Sequence, residues 1–262
     1  MKIFTNENHK DEKGERYMGA VKHFKKSAVL NQIKHLERKI EYPSNRDIDF
    51  DRTHLNYSLT PKREISPYEY YKKRLEEISV NKERKDINYA SGWVITKPKE
   101  LDDKYEKRFF REVYNFLKER YGGEQNVISA EVHKDEKGEP HLHFMFIPVT
   151  ENTPNKNMMK VIEYFEKKKN IGKNNTEAGR ELGIDRKTVR RYRNYKREDV
   201  KKEKLSSKAV INKLELITFH KNLEDYLNKK KIPVKIVSGI TKRNGGNRTV
   251  EELKAQEREI ER

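Results

Sequence analysis

Three of the eight histidines in this 262-residue chain fall within one short stretch, as His133, His141 and His143. Residues 126–133 and 141–148 read as strands, and Lys134-Asp135-Glu136-Lys137-Gly138-Glu139-Pro140 between them is rich in turn formers. Side chains alternate faces along a strand, so His141 and His143 project the same way. Pairing the two strands as a hairpin sets His133, ending the first, beside His141, starting the second, roughly 5 Å apart. Three imidazoles can then converge on one ion. Neutral imidazole suits Mn, Zn, Co or Ni. Three protein ligands leave coordination positions open, as in catalytic rather than structural sites. The bland alternative is a surface hairpin with unrelated histidines. Against it stands the apolar continuation Phe144 to Ile147, a strand in which alternate histidines are an unusual choice. Asp135 and Glu136, in the turn, can orient a ligand imidazole or simply be solvated.

The elements that must position this hairpin are legible in outline. Residues 17–25 and 92–97 read as strands, and 28–35 as a linker or helical turn. Ser66, Pro67 and Glu69 open a helix that runs to about 79, as N-cap, first-turn proline and capping-box acid. Tyr105, Phe109, Val113, Phe116 and Leu117 share one face of a helix over 102–121, stopped by Gly122. A further helix is expected over 208–229, a strand over 233–238, and an unfinished helix over 249–262. Strands and helices mix without βαβ alternation. The fold class expected is therefore α+β, a central antiparallel sheet with helices packed on one face. Trp93, the only tryptophan, is expected in the core.

Residues 153–204 break this pattern, with 17 Lys+Arg against 8 Asp+Glu. Within them, Thr176 can cap one short helix that Gly183 ends. Asp185 can cap a second that carries Arg186, Lys187, Arg190, Arg191 and Arg193. Ile184 and Val189 then face inward, and residues 158–168 supply a supporting helix. That is a helix–turn–helix pattern with five candidate DNA-contacting cations. Gly179 stands where alanine is usual and should weaken the first helix. The domain plan expected is a flexible 1–15, a main domain over 16–152 and 205–248, the helical insertion 153–204, and the start of a C-terminal helix at 249–262.

Bulk composition agrees with a nucleic-acid partner. The formal net charge is +17, which favours a polyanion; an anionic membrane surface is the second candidate. No apolar run approaches the roughly 20 residues of a membrane span, and the polar start is not that of a signal peptide. The absence of cysteine excludes disulfides and thiolate metal sites, and fits a cytoplasmic location.

At this point the residues resemble a known family. His-hydrophobic-His on a strand is similar to the HUH nucleases. His133, Asp135, Glu136, Pro140, His141 and His143 together resemble the H-x-D-E and P-H-hydrophobic-H pattern of the Mob/Pre plasmid mobilisation relaxases. His35-Leu36-Glu37-Arg38 resembles the family's early H-x-x-R motif, and Arg52-Thr53-His54-Leu55-Asn56-Tyr57-Ser58-Leu59 its second motif. Leu205-Ser206-Ser207-Lys208 and Thr249-Val250-Glu251 add weaker likenesses; the insertion is not part of the pattern. The resemblance implies an HUH relaxase-like fold and strand-specific nicking and rejoining at an origin of transfer. The intermediate implied is DNA bound covalently through its 5′ end. The nucleophile implied is a histidine, by position His35; His23, Tyr57 and Tyr42 are rivals. The ion expected is Mn²⁺, with Mg²⁺ second. Arg38, if it shares a helical face with His35, could grip the phosphate; Asp135 and Glu136 could tune the site, and Asn56 and Tyr57 contact DNA. The partners implied are single-stranded DNA, origin-of-transfer DNA as hairpin or duplex, and other mobilisation or conjugation proteins. A replication initiator of the same chemistry, and a non-catalytic helix–turn–helix regulator, are the alternatives.

Overall fold

The computed structural model describes residues 19–43, 45–80 and 87–236. The expectations for residues 1–15, for Thr249-Val250-Glu251 and for a helix over 249–262 lie outside them, as does the end of the strand expected at 233–238; residues 233–236 are not in a strand. Among the described residues no helix is long and apolar enough to cross a membrane.

Five strands form one antiparallel sheet: β1 (Gly19–Phe24), β2 (Tyr57–Ser58), β3 (Ala90–Thr96), β4 (Val127–His133) and β5 (His141–Phe146), in the order β1-β3-β5-β4-β2. The hairpin register pairs His133 with His141 and Glu131 with His143, as the turn-rich connection requires. A second, two-stranded ribbon joins β6 (Val149–Glu151) to β7 (Glu203–Leu205) and carries the insertion between its strands. Unlike the one-sided arrangement expected, helices cover both faces of the main sheet. α1 (Lys26–Leu36) and α2 (Pro67–Glu77) pack with Ala90, Ile128 and Met145 on one face. On the other, α3 (Glu106–Arg120) and the later α8 (Lys213–Lys229) pack with Trp93, Ile95, Leu142 and Phe144. Central strands thus bury both sets of alternate side chains. Trp93 stacks on Phe219 at 3.6 Å between ring centres and gives its indole proton to Tyr121 Oη.

α1 replaces the expected linker. Val29, Ile33 and Leu36 recur at helical spacing and are buried, but no side chain caps its start, so the usual opening signal is missing. The helix expected over 208–229 is broken at Ile211–Asn212 into α7 (Ser207–Val210) and α8, because Asn212 caps α8 by accepting from Glu215 N. α2 begins as expected, with the Ser66–Glu69 capping box complete.

The insertion is a three-helix unit of α4 (Lys156–Glu166), α5 (Asn175–Leu182) and α6 (Arg186–Tyr192) around its own core of Val161, Tyr164, Ala178, Ile184 and Val189. Asn174, not Thr176, caps α5, in a capping box with Glu177. Gly183 ends it at φ 65°, and Asp185 caps α6. Gly179 is a requirement rather than a weakness. A Cβ there would lie 2.7 Å from the carbonyl oxygen of Ile184, which the tight turn folds back onto the helix. Gly179→Ala should gain about 1 kcal/mol of helix propensity and lose more by forcing the turn outward, roughly 1–3 kcal/mol. Limited proteolysis should therefore cut the insertion faster in this variant; equal rates would show that the turn yields freely.

Candidate metal and nucleophile site

The three histidines stand on the α1 face of the sheet. His141 and His143 approach to 3.1 Å between their Nε2 atoms. His141 Nδ1 lies 3.3 Å from the carbonyl oxygen of Glu139, to which it can donate its proton, leaving the Nε2 lone pair aimed into the cluster. Burial lowers the pKa of His141, and lowers that of His143 well below the ordinary value; the neighbouring imidazoles push both the same way. Both rings are therefore neutral at neutral pH and able to act as ligands.

His133 is held at both nitrogens. Nε2 donates to the Leu36 carbonyl at 2.9 Å. Nδ1 lies 2.9 Å from Arg38 Nη2, and because a guanidinium only donates, Nδ1 is the accepting atom. Glu136 completes the group, 3.5 Å from His133 Nδ1 and 3.7 Å from His141 Nε2. One ligand atom from each of His133, Glu136, His141 and His143 falls within 4.8 Å of every other. Atoms sharing an ion at bonds of about 2.1 Å sit roughly 3–3.5 Å apart. The donor set, imidazoles beside a carboxylate, is chemically suited to a divalent transition ion; to bind it, the remaining lone pair of His133, on Nδ1, would exchange Arg38 for the ion. The sequence suggests Glu136 as a group that orients a ligand imidazole or tunes the site; here it stands close enough to be a fourth ligand itself.

α1 delivers His35 to this cluster. Its ring centre is 6.4 Å from that of His133 and 6.3 Å from that of His143. Burial lowers its pKa to about 4, helped by the positive charges of Arg38 and Lys22 and opposed by Glu136. The helix ends immediately afterwards in a Schellman turn: Lys39 N donates to Lys34 O and Arg38 N to His35 O. Position 38 takes φ 55°, where glycine is the usual occupant. Arg38 therefore does not continue the helical face of His35, as expected, but turns back into the protein.

There it forks onto Asp135, Nε to Oδ2 at 2.9 Å and Nη2 to Oδ1 at 2.7 Å, and Nη2 also reaches Glu136 Oε1 at 2.6 Å. With its side chain only 6% exposed and these bonds made, Arg38 organises the site rather than gripping a phosphate. Asp135, fully buried, also accepts from Thr53 Oγ1 and Asn56 Nδ2. Burial alone would raise its pKa, but the bonds from Arg38, Asn56 and Thr53 outweigh this and hold it at about 2. Glu136 is likewise held well below the usual carboxylate range against the cost of burial; with His133 Nδ1 accepting and His141 neutral, Arg38 supplies the attraction at neutral pH. Asn56 Oδ1 accepts from Lys134 N, and Asn45 Nδ2 donates to Glu136 Oε2. The three sequence motifs thus meet at one carboxylate, Asp135.

A sequence profile of the Mob_Pre family, described as plasmid recombination enzyme, matches residues 13–197. The chain belongs to this family. The Mob_Pre match includes most of the insertion, which the sequence pattern had placed outside it. The plasmid recombination enzyme of Streptococcus agalactiae is 38% identical over 123 residues, 44% of this chain and 24% of that protein. That of a Bacillus species is 36% identical over 121 residues, 44% of this chain and 29% of that protein. The chain spans about a quarter to a third of the length of these curated Mob_Pre relatives. Among solved structures, the MobM relaxase domain (MOBV; Mob_Pre) bound to plasmid pMV158 oriT DNA, an Mn-bound crystal structure at pH 6.8, matches with TM-score 0.60 and 26% identity over 92% of this chain and 98% of that one. A second Mn-bound structure of that domain with oriT DNA, at pH 5.5, gives 0.59 and 25% over 92% and 99%. The α+β, relaxase-like fold expected for this Mob_Pre chain is the one found.

Several expected contacts are placed elsewhere. Tyr57 pairs with Val132, on the sheet face opposite the histidines, and its hydroxyl is buried with no hydrogen-bond partner. It does not reach the histidine cluster. Asn56 faces the site, but both ends of its amide are spent on the hairpin turn. His23 also points to the opposite face, against Ser91 and Ser207 hydroxyls at 2.9 and 3.1 Å. His54 is exposed on a 3-10 helix and bonds Asp51 O. His220 bonds Gly19 O. Tyr42 is 84% exposed, outside the cluster. Of the insertion's cations, Arg186, Lys187, Arg190 and Arg191 are exposed. Arg193 is instead an internal strut, bonded to Asn175 Oδ1 and Ile171 O and lying over Phe165. Asn45, Thr53 and Lys22 are the participants the sequence did not single out. Thr53 lies inside the second motif, whereas Lys22 and Asn45 are brought to the site only by the fold.

Proposed function

We propose that this chain is the catalytic part of a metal-dependent relaxase that nicks and rejoins one DNA strand at an origin of transfer. One observation carries the reading: a neutral, half-buried His35 set against a cluster of three imidazoles and a carboxylate. Membership of the plasmid recombination family favours mobilisation over replication initiation. The Mn-bound, oriT-bound state of the similar MobM domain supports both the ion and the substrate class.

A divalent ion held by His133, His141, His143 and Glu136 would supply Lewis-acid polarisation of a phosphate oxygen and charge neutralisation. The remaining chemistry belongs to the chain. His35 attacks phosphorus with its unprotonated nitrogen, the P–O3′ bond breaks, and the 3′ oxygen leaves as a hydroxyl after taking up a proton. The 5′ phosphate stays on His35 as a phosphoramidate, and attack by a 3′-OH reverses the step and rejoins the strand. Arg38 and Asp135 fix the distance between nucleophile and hairpin, because Arg38 is two peptide bonds beyond Leu36, whose carbonyl holds His133.

Supercoiled plasmid carrying the gene's own flanking DNA should relax with Mn²⁺ and not with excess EDTA; metal-independent relaxation would contradict the reading. Glu136→Gln keeps shape but loses the anionic ligand. It should weaken Mn²⁺ binding about 10- to 100-fold in calorimetric titration, and an unchanged affinity would remove Glu136 from the ligand set. The reactive form of His35 is unprotonated, and its pKa is lowered to about 4. Nicking should therefore stay level as pH falls through the ordinary histidine value of 6.5 and drop only towards 4. A half-maximal point near 6.5 would mean an unperturbed nucleophile.

A further inference from the structure

The insertion carries charge that the histidine site does not use. Arg186, Lys187, Arg190 and Arg191 are exposed together along α6, while Val189 on the same helix is buried against α4 and α5. Some other cations of the unit are engaged: Arg197 pairs with Glu163 and Glu166, Lys173 with Glu181, and half-buried Arg193 bonds Asn175; Lys156, Lys160, Lys167 and Lys168 are exposed, but on and just after α4 rather than on α6. Among the described residues, no acidic side chain is paired with the four on α6.

The backbone around them is tightly specified. Asn174 and Asp185 cap the two helices, Gly183 takes the left-handed turn, Ile184 N donates to Gly179 O, and Gly179 lets the turn close on α5. The unit has its own core, and its exit strand is pinned to α2: Arg74 bonds Glu203, Ser79 N donates to Glu203 O, and Lys201 Nζ reaches the carbonyls of Glu76 and Ile78. Arg186 and Arg190, and Lys187 and Arg191, are like-charge i,i+4 pairs that each weaken the helix slightly and that a polyanion laid over them would relieve; the N-cap Asp185 is a carboxylate whose charge reaches Lys187. The shape, a short capped helix standing on two supports after a three-residue turn, is the one that enters a major groove.

We propose that residues 153–204 form a second nucleic-acid site, a helix–turn–helix that binds duplex DNA through Arg186, Lys187, Arg190 and Arg191. The chain would then hold two separate sites, one for the strand to be cut and one for duplex beside it. Phosphate contacts supply most of the affinity and make it salt-dependent.

Binding of the full chain to a fluorescent 30-base-pair duplex, with EDTA present so that no cutting occurs, isolates this site from the nicking chemistry. Replacing all four residues by Gln (R186Q/K187Q/R190Q/R191Q) should weaken duplex binding at least tenfold and lower the salt slope of log Kd by roughly 3. A charge-matched control, K156Q/K160Q/K167Q/K168Q, removes four exposed cations elsewhere on the insertion and should leave most of the affinity. Unchanged duplex binding in the α6 variant overturns the proposal, and so does equal weakening by both variants, which would mean diffuse attraction. Loss of binding to vesicles containing phosphatidylserine, with duplex binding intact, would reassign the surface to a membrane. Thermal melts of both variants check that the fold survives. Loss of nicking in a separate His35 variant with duplex binding retained would leave this inference standing by itself.

Discussion

Replacing His35 by alanine is expected to abolish nicking while leaving the fold and DNA binding intact. Removal of a nucleophile costs several orders of magnitude in rate, about 10³-fold or more, because no neighbouring group replaces the bond it forms. None of the three rival nucleophiles faces the site: Tyr57 and His23 lie on the other side of the sheet, and Tyr42 is in solvent. The ring is half-buried and its side chain makes none of the bonds that hold Arg38, Asp135 or His133. Thermal stability should therefore change little near neutral pH and rise relative to the parent below about pH 6.5, since burial disfavours the protonated ring. The measurement is single-turnover cleavage of an oligonucleotide alongside a melting curve. Residual nicking within tenfold of the unmodified chain would transfer the nucleophile to another residue.

Arg38 is expected to show the largest stability effect. Removing one partner of a buried ion pair strands the other, at about 3–5 kcal/mol, and here two carboxylates, Asp135 and Glu136, lose their counter-charge together. The backbone works in the opposite direction. At φ 55° a residue with a Cβ is strained by about 1–2 kcal/mol, and glycine is not. Arg38→Gly should thus be about 1 kcal/mol more stable than Arg38→Ala, although both fall well below the parent and both lose nicking. Arg38→Lys keeps the charge but cannot fork onto Asp135, and should behave as the alanine variant in activity. Chemical denaturation gives the ranking. An Arg38→Gly protein with full activity would mean that the turn, not the guanidinium, organises the site.

The histidine hairpin was legible because its parts are adjacent in the chain, so strand alternation and one tight turn suffice to bring the rings together. His35 was legible only through the resemblance. It lies nearly a hundred residues away, and no local pattern links it to His133; the link is the Leu36 carbonyl and the fork of Arg38. Arg38 was assigned to a phosphate because spacing places positions 35 and 38 on one helical face, whereas the helix stops between them. Tyr57 and Asn56 share a motif but point to opposite sides of the sheet, which a two-residue strand does not disclose in advance. The helices on the second face, α3 and α8, were both seen as helices; what sequence could not supply was which side each would cover. In the insertion Gly183 and Asp185 stand where the sequence puts them, Asn174 takes the cap expected at Thr176, and the reason for Gly179 is a carbonyl oxygen five residues later, which no local pattern shows.

The proposed reaction joins His35, beside a metal held by three histidines and Glu136, covalently to DNA. The most direct measurement traps the full chain with Mn²⁺ on an origin oligonucleotide, digests it, and locates the DNA-bearing peptide by mass spectrometry under conditions that spare an acid-labile P–N bond. The adduct is expected on His35, within residues 34–38, and none is expected when Mn²⁺ is withheld. An adduct on Tyr42, Tyr57 or His23 would contradict it.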